Sequence, residues 1–174
     1  MSASSSLVLV GLMGAGKSSV AAELANKASL RHLDTDRMIE ASTGASVADL
    51  FAAEGEEAFR SLEFAALKEA LASKERVVIS TGGGIVTHDD ARLLLEEHAP
   101  VVFLDVSVPV ALERIGENAH ERPLLGEDPF FSLTVLDRHR RLFYERVADL
   151  TMNVDEKSVE EIADQILERV GSSS

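Results

Sequence analysis

Short apolar runs alternate along the chain with longer stretches whose apolar residues recur at helical spacing. Leu7 to Val10, His32 to Asp34, Val77 to Ser80, Val101 to Asp105 and Leu150 to Val154 read as strands, each followed by a helical pattern. Strands separated by helices imply a parallel sheet covered on both faces, an α/β fold with three α/β/α layers. Three helix starts are marked by capping residues. Ser46 precedes VADLF, Asp128 precedes Pro129 at a first helical position, and Ser158 with Glu161 forms a capping box. Thr87 is expected to cap the helix whose first turn holds Asp89 and Asp90, which accounts for the acids beside His88 without a metal.

The chain has 174 residues, 45% hydrophobic and 27% charged, enough for one core and too few for two ordinary domains. Residues 1–174 are therefore read as a single domain. No apolar run reaches the roughly 18 residues of a membrane span, and MSASSS lacks the basic and apolar regions of a leader. With no cysteine, the chain fits a reducing, cytoplasmic setting. The absence of an obvious apolar helix face favours a monomer.

Charge narrows the partners further. Against 17 basic residues stand 30 acidic ones, a net of -13, which argues against nucleic-acid and anionic-membrane surfaces. An anionic small molecule must then meet locally placed cations. The basic cluster DRHRR, residues 137–141, taken alone reads as a solvated helix face.

Between the first strand and the first helix lies GLMGAGKS, in which Gly11, Gly16, Lys17 and Ser18 fit the phosphate-binding pattern GxxxxGK[ST]. Backbone amides of such a loop point at phosphates, the lysine neutralises their charge and the hydroxyl ligates Mg2+. A nucleoside triphosphate is the expected ligand. A second feature is LDTD, with Asp34 and Asp36 two positions apart at the end of the second strand. On a continuing strand both carboxylates face one side, whereas a turn aims them at different targets, and either one can also cap the helix that follows. The strand VVIST ends in Ser80 and Thr81 where a P-loop enzyme usually carries a metal-holding carboxylate, which raises the value of Asp34.

In EAFRSLE, Arg60 and Glu63 are spaced to pair across one helical turn. Such a pair is either a surface ion pair or a guanidinium held ready for a ligand carboxylate. ERPLL places Arg122 before a proline and two apolar residues, within an irregular polar segment, residues 116–128, long enough to be a lid. Three consecutive glycines, Gly82, Gly83 and Gly84, end the strand VVIS-T; glycine gives up the most backbone entropy on folding, so something must approach the main chain there.

Taken in order, GLMGAGKSS, LDTD, FRSLE, STGGG, RPLL and the later RRLFY resemble the shikimate kinases, small P-loop enzymes related to the nucleoside monophosphate kinases. The resemblance runs nearly end to end. It implies a five-stranded parallel sheet in the order 2-3-1-4-5, an acceptor-binding region around residues 35–63 and a mobile lid near 116–128. The activity it implies is transfer of phosphate from ATP to the 3-hydroxyl of shikimate, a step toward chorismate and the aromatic amino acids, with Mg2+ as cofactor.

The same resemblance assigns roles. Gly14, Ala15, Gly16, Lys17, Ser18 and Ser19 would cradle the nucleotide, with Arg114 near the adenine. Ser18 would ligate Mg2+ and Asp34 would hold it through water. Asp36 would face the attacking hydroxyl, acting with a pKa near the ordinary carboxylate value of about 4. Arg60 and Arg140 would clamp the shikimate carboxylate, with Glu63 orienting Arg60 and with Phe51 and Phe59 flanking the ring. Gly82, Gly83 and Gly84 would leave space for that ring, and Arg122 would arrive with the lid. His120 reads as a solvent-facing loop residue. Two alternatives stay open: a same-fold kinase of gluconate or a nucleotide, and a non-catalytic nucleotide-binding regulator. Arg60, Arg140 and the glycines favour a carboxylate-bearing ring over the first, and retention of Asp36 speaks against the second.

Overall fold

All four residues of LVLV are apolar because both faces of that strand are covered. Leu7 and Leu9 belong to one buried cluster and Val8 and Val10 to another, the alternation of a strand buried on both sides. The computed structural model describes residues 6–98, 100–116 and 122–171. Strand β1 (Leu7–Val10) leads to α1 (Lys17–Ala28), β2 (Arg31–Asp34), α2 (Thr35–Thr43) and α3 (Val47–Leu71). Then follow β3 (Val77–Ser80), a short 3-10 turn (Ile85–Thr87), α4 (Asp89–Glu97), β4 (Val101–Asp105), α5 (Val108–Ile115), α6 (Pro129–Val147), β5 (Leu150–Asn153) and α7 (Val159–Gly171).

The five strands form one sheet in the order β2-β3-β1-β4-β5, every pairing parallel. The α/β/α reading and the strand order implied by the resemblance are both observed, and the strand limits agree to within one residue. β1 lies at the centre, flanked by β3 and β4. All the strands point their carboxyl ends to one edge, where ligands of open parallel sheets bind. One face of the sheet packs against α1, α5 and α7 through Val20, Leu24, Ala111, Ile162 and Ile166; the other packs against α3, α4 and α6 through Leu67, Leu95, Tyr144 and Val147. Each such aliphatic side chain contributes about 1.5–3 kcal/mol when fully buried. A satellite core of Ile39, Leu50, Phe59 and Ala66 joins α2 to α3 beside the carboxyl edge.

The caps decide where several of these helices begin. Ser46 accepts from Asp49 N at 3.1 Å, Asp128 from Phe131 N at 3.0 Å, and Ser158 exchanges bonds with Glu161. Thr87 is a correction: it ends the 3-10 turn, donating from Oγ1 to Gly84 O at 2.7 Å, and His88 stands at the cap position with no side-chain capping bond. Asp89 and Asp90 do occupy the first turn of α4, where the helix dipole favours negative charge. Helix α3 bends at Gly55, whose φ of 82° and ψ of 172° interrupt it one turn before Arg60. Residues 122–128 form turns with no regular element, and Leu125 anchors them in the core. His120 lies outside the described residues, as does most of the acidic stretch before Arg122.

Candidate active site

Two of the glycines that shape the loop after β1 share a backbone requirement and differ in their surroundings. Both have a left-handed φ, 81° at Gly14 and 87° at Gly16; Gly14 in addition lies against α5, where a Cβ would sit 2.5 Å from the carbonyl oxygen of Ala111, while Gly16 has open space around it. Gly16 caps α1, whose free N–H groups therefore open onto a cleft of about 590 Å3. Lys17 is buried beneath this loop and donates from Nζ to the carbonyls of Gly11 at 2.8 Å and Leu12 at 2.9 Å. Burial pushes its pKa down to about 8; Arg122 and Arg140 add to the fall, and Asp36 and Asp34 oppose it.

Asp34 and Asp36 end in different environments because β2 stops between them. Asp34 is the N-cap of α2: its Oδ1 accepts from the N–H of Asp36 at 3.1 Å and of Arg37 at 3.2 Å. Its Oδ2 accepts from Ser18 at 2.6 Å and from Ser80 at 2.7 Å. Capping and P-loop contact are thus performed by the same carboxylate. Burial works to raise its pKa, but the bonds from Ser18, Ser80 and Arg37 outweigh it and hold the group below the usual range. The Ser80 hydroxyl also meets His32 Nε2 at 2.7 Å, and burial shifts His32 downward.

Asp36, in the first turn of α2, points into the space between the clefts, and its Oδ1 is buried without a hydrogen-bond partner. Burial, then the charges of Glu63 and Asp34, push its pKa up to about 6 against the pull of Lys17 and Arg122. An ordinary pKa near 4 for this group, expected from the sequence, is therefore corrected. The reason is tertiary: two further carboxylates share a poorly solvated pocket with it.

A second cleft, of about 600 Å3, lies between α2, α3, the triple glycine and α6. Arg60 is 8% exposed and Glu63 2%, so their ion pair is internal rather than a surface bridge. Burial pushes the Glu63 carboxyl up and Arg60 draws it back. Glu56 is a residue that sequence reasoning passed over. It bonds the Arg60 Nη2 at 3.1 Å, and its i,i+4 spacing from Arg60 was the available signal. Phe51 and Phe59 meet edge to face at 5.6 Å between ring centres and line the same cleft. Arg140, 2% exposed, also lines it. The basic cluster around it divides by helix face: Arg138 and His139 are exposed, Arg140 points inward, and Arg141 bonds Asp105 at 2.9 Å and Asp137 at 3.1 Å.

The glycines have a reason different from the expected one. None of the three has positive φ, so no unusual backbone is required. A Cβ on Gly82 would overlap Glu63 Oε1, and one on Gly84 would overlap the Arg60 guanidinium. A Cβ on Gly83 would come within 3.3 Å of Gly11 O and Met13 N in the phosphate loop. What approaches the main chain is first of all the protein's own Arg60–Glu63 pair. Tyr144, fully buried and stacked on Phe103, fixes the wall by donating to Gly83 O at 2.5 Å.

Both clefts are lined by Met13, Asp36, Gly82, Gly83 and Arg122. Arg122 is exposed, at the start of the described part of the turn segment. Arg114 lines the phosphate-loop cleft and bonds Val154 O at 2.6 Å and Ala15 O at 3.4 Å. Lys157, Ser158 and Val159, at the start of α7, line it too; from the sequence Ser158 reads only as a helix cap, and none of the three is assigned to the site. Among the described residues no three His, Cys, Asp or Glu side chains form a metal cage. The adjacent Ser18 hydroxyl and Asp34 carboxylate instead fit Mg2+, which prefers oxygen donors and keeps waters and phosphates in its shell.

Comparison with known proteins gives one consistent answer. Residues 13–171 match the family described as Shikimate kinase. A shikimate kinase of Symbiobacterium thermophilum is 40% identical over 166 residues, spanning 94% of this chain and 95% of its own length. One from Enterococcus faecalis is likewise 40% identical over 166 residues, 95% of this chain and 98% of its own. The solved shikimate kinase of Acinetobacter baumannii in complex with shikimate superposes with a TM-score of 0.93 at 35% identity, covering 99% of this chain and 96% of that one. A fold and a phosphate loop read from the chain itself thus converge with full-length similarity, and the protein belongs to the shikimate kinase family.

Proposed function

We propose that the protein transfers the γ-phosphoryl group of ATP to the 3-hydroxyl of shikimate, giving shikimate 3-phosphate and ADP. The observation that carries this reading is the placement of Asp36 on the wall common to both clefts, with Lys17 to one side and the Arg60–Glu63 pair to the other. Shikimate kinase activity follows from membership in the family. The chain's own residues supply the detail.

The helix α1 amides and Lys17 receive the phosphates. Arg60 and Arg140, both inside the acceptor cleft, take the substrate carboxylate, and Phe51 and Phe59 close the apolar side of the ring. Arg60 brings an orientation already set by Glu63 and Glu56, so little of its freedom remains to be lost on binding. Asp36 accepts a hydrogen bond from the attacking hydroxyl and receives its proton late. Phosphoryl transfer through a loose transition state needs positioning and charge neutralisation more than a strong base. A carboxylate with a pKa near 6 is ionised at neutral pH, yet more basic than an exposed aspartate. Ser18, and Asp34 through water, would hold Mg2+, which when bound neutralises charge on the phosphate oxygens. Arg122 reaches both clefts; its arrival over the nucleotide completes the site and excludes water. All these residues come from one chain, so a monomer suffices.

The test is ADP production from Mg-ATP with shikimate, quinate, gluconate or AMP as acceptor. Strong stimulation by shikimate alone is expected. Stimulation by gluconate or AMP instead would transfer the assignment to another small-molecule kinase, and ATP binding without any stimulation would leave a nucleotide-binding regulator.

A further inference from the structure

β3 ends in Ser80 at the register position opposite Asp34, in the strand where P-loop enzymes usually carry a metal-holding carboxylate. Ser80 is 1% exposed, and its hydroxyl is shared between two partners. It donates to Asp34 Oδ2 at 2.7 Å, and His32 Nε2 lies 2.7 Å from Ser80 Oγ. A hydroxyl has a single hydrogen. With that hydrogen on a carboxylate, the Ser80 oxygen accepts from His32, whose ring therefore carries a hydrogen on Nε2. The line runs from His32 Nε2–H to Ser80 Oγ, and from Ser80 Oγ–H to Asp34 Oδ2.

This line accounts for the last lone pair of the Asp34 carboxylate. Oδ1 holds two backbone N–H groups of α2, and Oδ2 holds Ser80 and Ser18. Three of the four donors are locked, two by the helix and one by His32. Only Ser18 is an exposed side chain free to exchange with a metal-bound water. The open direction of Oδ2 is thereby the one that faces the phosphate loop.

We propose that His32 is a positioning residue of the metal site: by occupying the Ser80 oxygen it keeps the Ser80 hydrogen on Asp34, and so holds Oδ2 toward Ser18. This rests on the reading of Ser18 and Asp34 as metal holders. Residues that orient a metal-holding group typically change metal affinity by about 10–100-fold when removed. His32 touches neither cleft, so its effect appears in metal binding and not in acceptor binding.

The experiment is Mn2+ binding to the ADP complex of the intact protein, read from the electron paramagnetic resonance of free Mn2+. His32→Leu and Ser80→Ala are expected to weaken Mn2+ binding about tenfold, with ADP affinity in the absence of metal unchanged. His32→Gln, whose amide N–H reaches the position of Nε2, is expected to keep the parent affinity. The His32→Leu, Ser80→Ala double variant should bind no more weakly than Ser80→Ala, since both act through one hydroxyl. Parent-like affinity in His32→Leu, alongside a weakened Asp34→Asn, overturns the role of His32. Equal losses in His32→Gln and His32→Leu overturn the hydrogen-bond line in favour of packing. Parent-like affinity in Asp34→Asn rejects the metal reading itself.

Discussion

Asp34 and Asp36 stand two residues apart and carry carboxyl groups displaced in opposite directions, Asp34 below the usual range and Asp36 up to about 6. Donors surround the first, and the second shares its pocket with Glu63 and has a buried oxygen without a donor. One turn of chain separates a carboxylate fit to stay ionised beside a cation from one fit to take up a proton.

On the proposed mechanism Asp36 would set the acid limb of activity: if its ionised form accepts the hydroxyl proton, kcat/KM for shikimate should fall as pH drops through about 6. Asp36→Asn should lose that limb, lower kcat by about 10²–10⁴-fold and leave ATP affinity nearly intact. Unchanged turnover would remove Asp36 from the mechanism.

On the same mechanism Lys17 would set the alkaline limb: its charged form is the one proposed to meet phosphate, and burial lowers its pKa to about 8 in the free protein, so kcat/KM for ATP should fall above that pH. Bound phosphates favour the cation, so the limb in kcat should lie higher than the limb in kcat/KM. Coincident limbs in the two profiles would contradict this.

The carboxyl proposed to take the hydroxyl proton costs stability. The folded pKa of Asp36 is raised, so its protonated form is favoured by folding, and the cost in stability builds as pH rises from 3.8 and is complete above about 6. Below its ordinary pKa of 3.8 both states are protonated and the effect vanishes. Asp36→Asn should therefore stabilise the ligand-free protein by roughly 3 kcal/mol above neutrality and have little effect in acid. Thermal melts at both pH values measure this, and a variant that melts lower than the parent at high pH would refute it.

Arg60→Ala should act on the acceptor. A charge-assisted hydrogen bond contributes about 1.5–3 kcal/mol, so the KM for shikimate should rise by roughly 10–100-fold, with the KM for ATP little changed. A normal shikimate KM would contradict the clamp.

The glycine wall makes a related prediction by a different route. Alanine at Gly82 or Gly84 adds one methyl group that collides with Glu63 or Arg60, so each should raise the shikimate KM by about tenfold. Alanine at Gly83 presses on the phosphate loop and should affect ATP as well. Gly82→Ala or Gly84→Ala with parent kinetics for shikimate would show that the clamp can move aside without loss.

The strands, their parallel arrangement and the principal caps were legible because they depend on local pattern: period-two burial, helical spacing and capping residues next to the elements they start. The phosphate loop was legible for a related reason, since its residues are adjacent in the chain. Thr87 misled because the 3-10 turn, whose closing bonds involve the neighbouring glycine loop, took the hydroxyl that a cap would have used.

By itself the sequence determined the α/β architecture, the position of the phosphate loop and the family, through motifs whose order along the chain survives whatever the packing. Only the tertiary structure decided that Arg60 and Glu63 are buried, that Gly82 and Gly84 are small because that pair lies against them, and that Asp36 is shifted toward neutrality. It also brought His32 and Ser80 to Asp34 across the sheet. The physical reason is that burial, proximity and electrostatic coupling belong to groups far apart in the chain, and residue spacing carries no measure of the distance between them once the sheet has closed.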